Sequence, residues 1–180
     1  MLLWREQPKE DVSEARKEVS WYHRFRMAAV TAGVGAVLWT ILMIIPAPPF
    51  SSALPILVGG GPGTWLLLGY VLYVVAGFCS LAGMSALLLP YGEGDSGSPS
   101  DSLLTVGLGL YYVGVTATSL MLGLAGYAGG YASTISRLPE QSIESLLAPF
   151  VWPVTVAVLA ACAGALIILA TMARAHGGQK

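Results

Sequence analysis

The chain has 180 residues, of which 55% are apolar and only 11% charged, whereas ordinary soluble domains carry about a quarter charged residues. Nine Lys and Arg against ten Asp and Glu leave a net charge of -1, which offers no basic field for a phosphate backbone and argues against nucleic acid as a partner. Two cysteines supply neither a disulfide framework nor a Cys-rich metal site, and the composition is that of a small all-α integral membrane protein.

Residues 1–26 carry Arg5, Lys9, Arg16, Lys17, Arg24 and Arg26. Within this segment Val12, Ala15, Val19 and Tyr22 recur at helical spacing amid Glu10, Glu14, Lys17 and Glu18, which predicts an amphipathic N-terminal helix feeding the first span. The charged prelude and the apolar stretch behind it are longer than a cleaved secretory signal uses, so the first span reads as a retained anchor.

Four segments are long and apolar enough to cross a hydrocarbon core, which takes about 20 helical residues: residues 27–45, 64–89, 103–131 and 151–173. None contains Asp, Glu, Lys, Arg or His, and the runs are continuous, unlike the alternating pattern of membrane β-strands. Residues 27–173 therefore predict a transmembrane domain of four helices packed as a bundle, with a short tail at 174–180. Between the first two spans Pro46, Pro48, Pro49, Pro55 and the run Gly59-Gly60-Gly61-Pro62-Gly63 predict an interruption of helix. After the second span, residues 91–101 are polar, acidic and rich in Gly and Ser, the composition of a mobile turn. Pro139 and Glu140 predict the start of a short interfacial helix reaching Leu147.

Eight of the nine Lys and Arg residues lie in the two tails, and Arg137 alone lies in a loop. The excess of positive charge at cytoplasmic flanks places both termini in the cytoplasm, with the chain in the cell membrane. Trp21, Tyr22, Phe25 and Tyr91 on one side, and Trp65, Tyr131, Phe150 and Trp152 on the other, suit aromatic belts.

Helices in lipid associate through small residues that allow close approach. On the third span Thr105, Gly109, Tyr112, Thr116, Ser119, Gly123, Gly126 and Gly130 form such a stripe, which leaves Leu108, Val115 and Leu122 for lipid. Shorter stripes are Ala29, Gly33, Ala36 and Thr40 on the first span; Gly69, Tyr73, Ala76, Ser80 and Gly83 on the second; and Ala157, Ala161 and Gly164 on the fourth. Gly126 and Gly130 also make a small-xxx-small pair.

Ionisable groups inside a membrane mark proton relays, voltage sensors and ion paths, and the spans have none. This argues against a proton-coupled pump or a haem held between histidines; a backbone-lined pore escapes the argument. His23 and His176 are the only imidazoles; with Glu18 they are candidate metal ligands, but they lack a ligand spacing, and helix-end residues at the interface are the plainer reading. Tyr73 and Tyr112 fall on the inward stripes, beside Tyr70 and Tyr111. A phenol in hydrocarbon needs a partner: Thr116 or Ser119 in a packing role, a quinone or lipid headgroup in a binding one. Cys79 and Cys162 lie mid-span without a Cys-x-x-Cys arrangement and read as small packing residues. These features lead to the expectation of a non-catalytic accessory subunit without its own cofactor, with the lipid bilayer and other membrane subunits as partners. A quinone- or lipid-binding subunit of a redox enzyme and a small oligomeric channel are the alternatives.

Overall fold

The computed structural model describes residues 9–88 and 101–177, with side chains described for 21–87 and 102–174. Among the described residues there is no strand, and four helices are long and apolar enough to cross a membrane: Trp21–Ile44, Gly61–Leu87, Ser102–Thr134 and Glu140–Arg174. The shortest has 24 residues, about 36 Å at 1.5 Å per residue, against a hydrocarbon core of about 30 Å.

Helix α1 runs unbroken over Lys9–Ile44. The N-terminal helix feeds into the first span without a break, since no Gly or Pro separates it from the apolar stretch. The helix ends where Pro46 has no amide to donate; its last backbone bond is from Ile45 N–H to the Ile41 carbonyl. The following segment is not simply a break. A short helix α2, Ala53–Gly59, forms there, because Pro55 occupies its first turn, where a missing N–H is tolerated. Gly60 and Gly61 end it with φ of 70° and 56°, values only glycine adopts at little cost.

The second span is built from α3, Thr64–Leu72, a π-helical segment Tyr73–Cys79, and α4, Ser80–Leu88. Its buried residues Leu66, Gly69, Tyr73, Gly77, Leu81 and Ser85 recur every fourth position after the first step. Four such steps would drift by about 160° round a regular α-helix. The π segment, with its wider i→i+5 turns, absorbs an extra residue and keeps Tyr73 through Ser85 on one side. This displaces the expected stripe: Ala76 and Ser80 are half-buried, and Gly83 is exposed with nothing within 4 Å of a Cβ built on it.

Helices α5, Asp101–Thr134, and α6, Glu140–Gly177, form the most extensive helix pair. Arg137, with φ 49°, turns the chain between them, while the amides of Ser136 and Leu138 bond back to the Tyr131 and Ala132 carbonyls. The expected interfacial helix after Pro139 is the start of α6 itself. Pro149 and Pro153 lie inside it, each removing one backbone bond, a loss that long apolar helices accommodate.

Helix α5 is packed on two faces, which explains where the single expected stripe fails. Toward α6, a Cβ on Gly114 would lie 2.5 Å from the Ala161 nitrogen and 2.7 Å from the Ala157 carbonyl oxygen, and Gly107 abuts Gly164 and Ile168. Toward α3, α2 and α1, Ser119, Gly123, Gly126 and Gly130 are buried: Gly126 against the backbone at Trp65 and Leu66, Gly130 against Ile56, Gly123 against the Trp39 indole. The other half of the stripe lies elsewhere. Thr105 and Gly109 are exposed, and Tyr112 and Thr116 half-buried. Val115, expected outside, is buried, and Leu108 and Leu122 are half-buried. The outer face is formed instead by Leu103, Val106, Leu110, Val113, Leu120 and Leu124. Further corrections concern Trp21 and Phe25, which are buried in the core with Leu104 and Ile168 and form no belt, and Cys79 and Cys162, which are exposed. On α1 Ala29 is buried, with Gly33, Ala36 and Thr40 half-buried; on α6 Ala157 and Gly164 are buried and Ala161 half-buried.

Gly114→Leu is expected to destabilise the protein by about 1–3 kcal/mol through overpacking. Gly109→Ala, with open space at its Cβ, is expected to be neutral or to stabilise by up to about 1 kcal/mol. Reversible unfolding in detergent measures both. In the same assay Arg137→Gly should gain about 1 kcal/mol by relieving the left-handed backbone.

Candidate functional site

The densest grouping of polar and aromatic side chains away from the helix ends is built round the π-helical segment. Trp39 from α1 meets Tyr70 edge-on, with ring centroids 6.2 Å apart, and Tyr73 at 5.8 Å in a tilted arrangement. Tyr73 is buried with its hydroxyl against the α1 backbone at Gly35. A Cβ at Gly35 would press on that oxygen, so any larger residue there would have to displace the Tyr73 ring. The Tyr112 side chain, half-buried, lies close enough to Tyr73 to interact with it electrostatically.

The hydroxyls of this cluster are engaged within the protein. Thr40 Oγ1 donates to the Ala36 carbonyl at 2.9 Å and lies 2.8 Å from the Tyr70 hydroxyl. A threonine has one proton, so Tyr70 donates to Thr40. Tyr111 donates to the Ala76 carbonyl at 2.7 Å, and Ser80 Oγ donates to the Val75 carbonyl at 3.0 Å. Both acceptors lie in the π segment, where wide turns disturb the regular backbone ladder. Tyr111 thereby ties α5 to the carbonyl edge of the second span.

Sequence reasoning singled out Tyr73 and Tyr112, and the structure brings them together. It did not foresee Trp39, the π segment or the use of Tyr70 and Tyr111 as donors to α1 and to the π backbone. Ser119, expected as a partner for one of these phenols, is corrected: its buried Oγ has no hydrogen-bond partner among the described residues. The signal for Trp39 and Tyr70 was present, since both lie beside stripe members. The π segment has no such signal, because wide turns arise from packing between helices.

His23 is exposed on α1; the side chains of His176 and Glu18 lie outside the described residues. Among the described residues no three His, Cys, Asp or Glu gather in a metal-binding group. The cluster holds helices together through phenol and hydroxyl bonds and presents no nucleophile paired with a base. An apolar groove of about 720 Å³ lies between α5 and α6, lined by Gly109, Val113, Ala117, Trp152, Val156 and Ala160 among others. The chain matches no protein-family model, no curated protein and no solved structure.

Tyr111→Phe removes the bond to the π segment and is expected to cost about 0.6–1.5 kcal/mol, the range for hydrogen bonds between helices in membranes. Tyr112→Phe, on a half-buried residue, is expected to cost less. Detergent unfolding of the two variants, with helicity followed by circular dichroism, checks the order.

Proposed function

We propose that this chain is a multi-pass protein of the cell membrane whose four long apolar helices cross the bilayer as a bundle, with both termini cytoplasmic. In this reading it is a non-catalytic accessory subunit of a larger membrane complex, of the respiratory or transport kind, whose partners are the bilayer and other membrane subunits. The observation that carries the reading is the engagement of the mid-span hydroxyls within the protein. Tyr70 and Tyr111 donate to Thr40 and Ala76, so these phenols are used for packing. Large aliphatic side chains cover the outer faces, as hydrocarbon surroundings require. Gly83 and Gly109 add small residues at the surface, where another helix can approach closely.

Three measurements test this. Reporter fusions after Gln7 and after Lys180 should both read cytoplasmic. Mild-detergent purification from native membranes should recover the chain with other membrane proteins. Tyr73→Phe and Tyr112→Phe should leave the turnover of the recovered complex within about twofold, the effect of losing one weak membrane hydrogen bond. Intact recovery with turnover reduced tenfold or more would replace the subunit reading with a quinone- or lipid-binding one. Recovery of the chain alone, or only with copies of itself, would also overturn it.

A further inference from the structure

The positive charge at one end of the molecule has a built element in it. Arg24 is exposed on α1, yet its guanidinium is held on two sides. It lies 4.6 Å from the centroid of the Trp21 ring, whose indole is itself only 6% exposed, and it donates through Nη1 to Thr105 Oγ1 of α5 at 3.3 Å. A guanidinium has five N–H donors, and this bond uses one. Arg26 and Arg174 are exposed at the same end, where α1 and α5 enter and α6 leaves the apolar core, since Trp21, Phe25, Leu104 and Ile168 share one buried cluster there.

This charge has no counterpart among the described acids. Glu140 and Glu144 are the only acidic side chains described, and both belong to the start of α6 at the opposite end. Along α1, the positions three and four residues from Arg24 are Ser20, Trp21, Met27 and Ala28, so no acid stands where helical neighbours pair. A guanidinium oriented in this way, with one N–H engaged among the described residues, has further donors in the geometry that matches phosphate oxygens bidentately, and its depth, a few residues inside the first span, is that of lipid phosphates.

We infer that Arg24, oriented by Trp21 and Thr105 and supported by the field of Arg26 and Arg174, forms a headgroup site for an anionic phospholipid. The site rests on the membrane-spanning reading above and is independent of the subunit reading. The shared chemistry is a phosphate group, and the test separates a lipid phosphate from a free one.

The full chain is reconstituted in phosphatidylcholine bilayers containing spin-labelled phosphatidylglycerol or spin-labelled phosphatidylcholine, and the motionally restricted lipid is read by electron paramagnetic resonance. The phosphatidylglycerol is expected to associate at least about threefold more strongly than the phosphatidylcholine at low salt, and the ratio to approach one at about 0.5 M salt. Arg24→Gln should bring the ratio to within about 1.5-fold of one at low salt with unchanged helicity, while Arg137→Gln, at the other end, leaves the preference intact. A wild-type ratio near one, a ratio that ignores salt, or a ratio retained by Arg24→Gln would overturn the site. So would its loss on adding inorganic phosphate at matched ionic strength, which would assign the arginine to a free anion. Restricted lipid missing for both labels would fail the spanning reading first and the site with it. If Arg24→Gln does not fold, the salt and phosphate series on the wild-type chain decide the matter.

Discussion

Backbone-to-backbone approach along α5 is the constraint from which the rest of the packing follows. Gly114 admits the backbone of α6, Gly164 reciprocates from the α6 side against Tyr111 and Gly107, and Gly126 admits the backbone of α3. At such separations a single methyl group meets main-chain atoms, which cannot rotate away. Because two different neighbours approach this closely, α5 needs glycine on two faces. One face runs through Gly107 and Gly114, the other through Gly123, Gly126 and Gly130. Helices without a hydrophobic drive between them depend on this kind of approach for dispersion contact.

The π segment of the second span is a consequence of the same arrangement. Once α3 is seated on α5 through Gly69, whose added Cβ would lie 2.6 Å from the Ser119 carbonyl oxygen, the rest of the span must still reach α1. It does so by widening over Tyr73–Cys79, which keeps Tyr73, Gly77 and Leu81 buried in succession. The irregular backbone is supported from outside the helix by Tyr111 and from within by Ser80. Tyr73 meanwhile presses on α1 at Gly35. The aromatic cluster is thus the seam at which α1, the second span and α5 are joined, and its polar atoms are spent on that joining.

The two ends of the molecule differ in chemistry. At one, Arg24 bridges α1 to α5 above a buried tryptophan. At the other, Tyr127 donates to the Pro49 carbonyl and stacks beside Tyr131 with centroids 6.3 Å apart, while Glu140 opens α6.

The sequence by itself determined the number and rough limits of the long apolar helices, because length and the exclusion of charge are local properties that no tertiary contact alters. It also marked Tyr73 and Tyr112, since aromatic residues carrying a hydroxyl stand out in apolar runs. Periodicity found the half of the third stripe at Ser119, Gly123, Gly126 and Gly130. It misplaced the half at Thr105 and Gly109, because a single-face pattern cannot describe a helix with neighbours on two sides. The row of large aliphatics from Leu103 to Leu124 was the better local signal for the outer face, since bulky side chains are excluded wherever backbones touch. The start of α2 at Ala53 and the continuity of α6 past Pro149 show that a proline's missing N–H is tolerated in a first turn and can be absorbed in the interior of a long apolar helix. The register of the second span and the partners of the tyrosine hydroxyls were decided only by the tertiary structure: both depend on distances between helices, which no spacing along one helix contains.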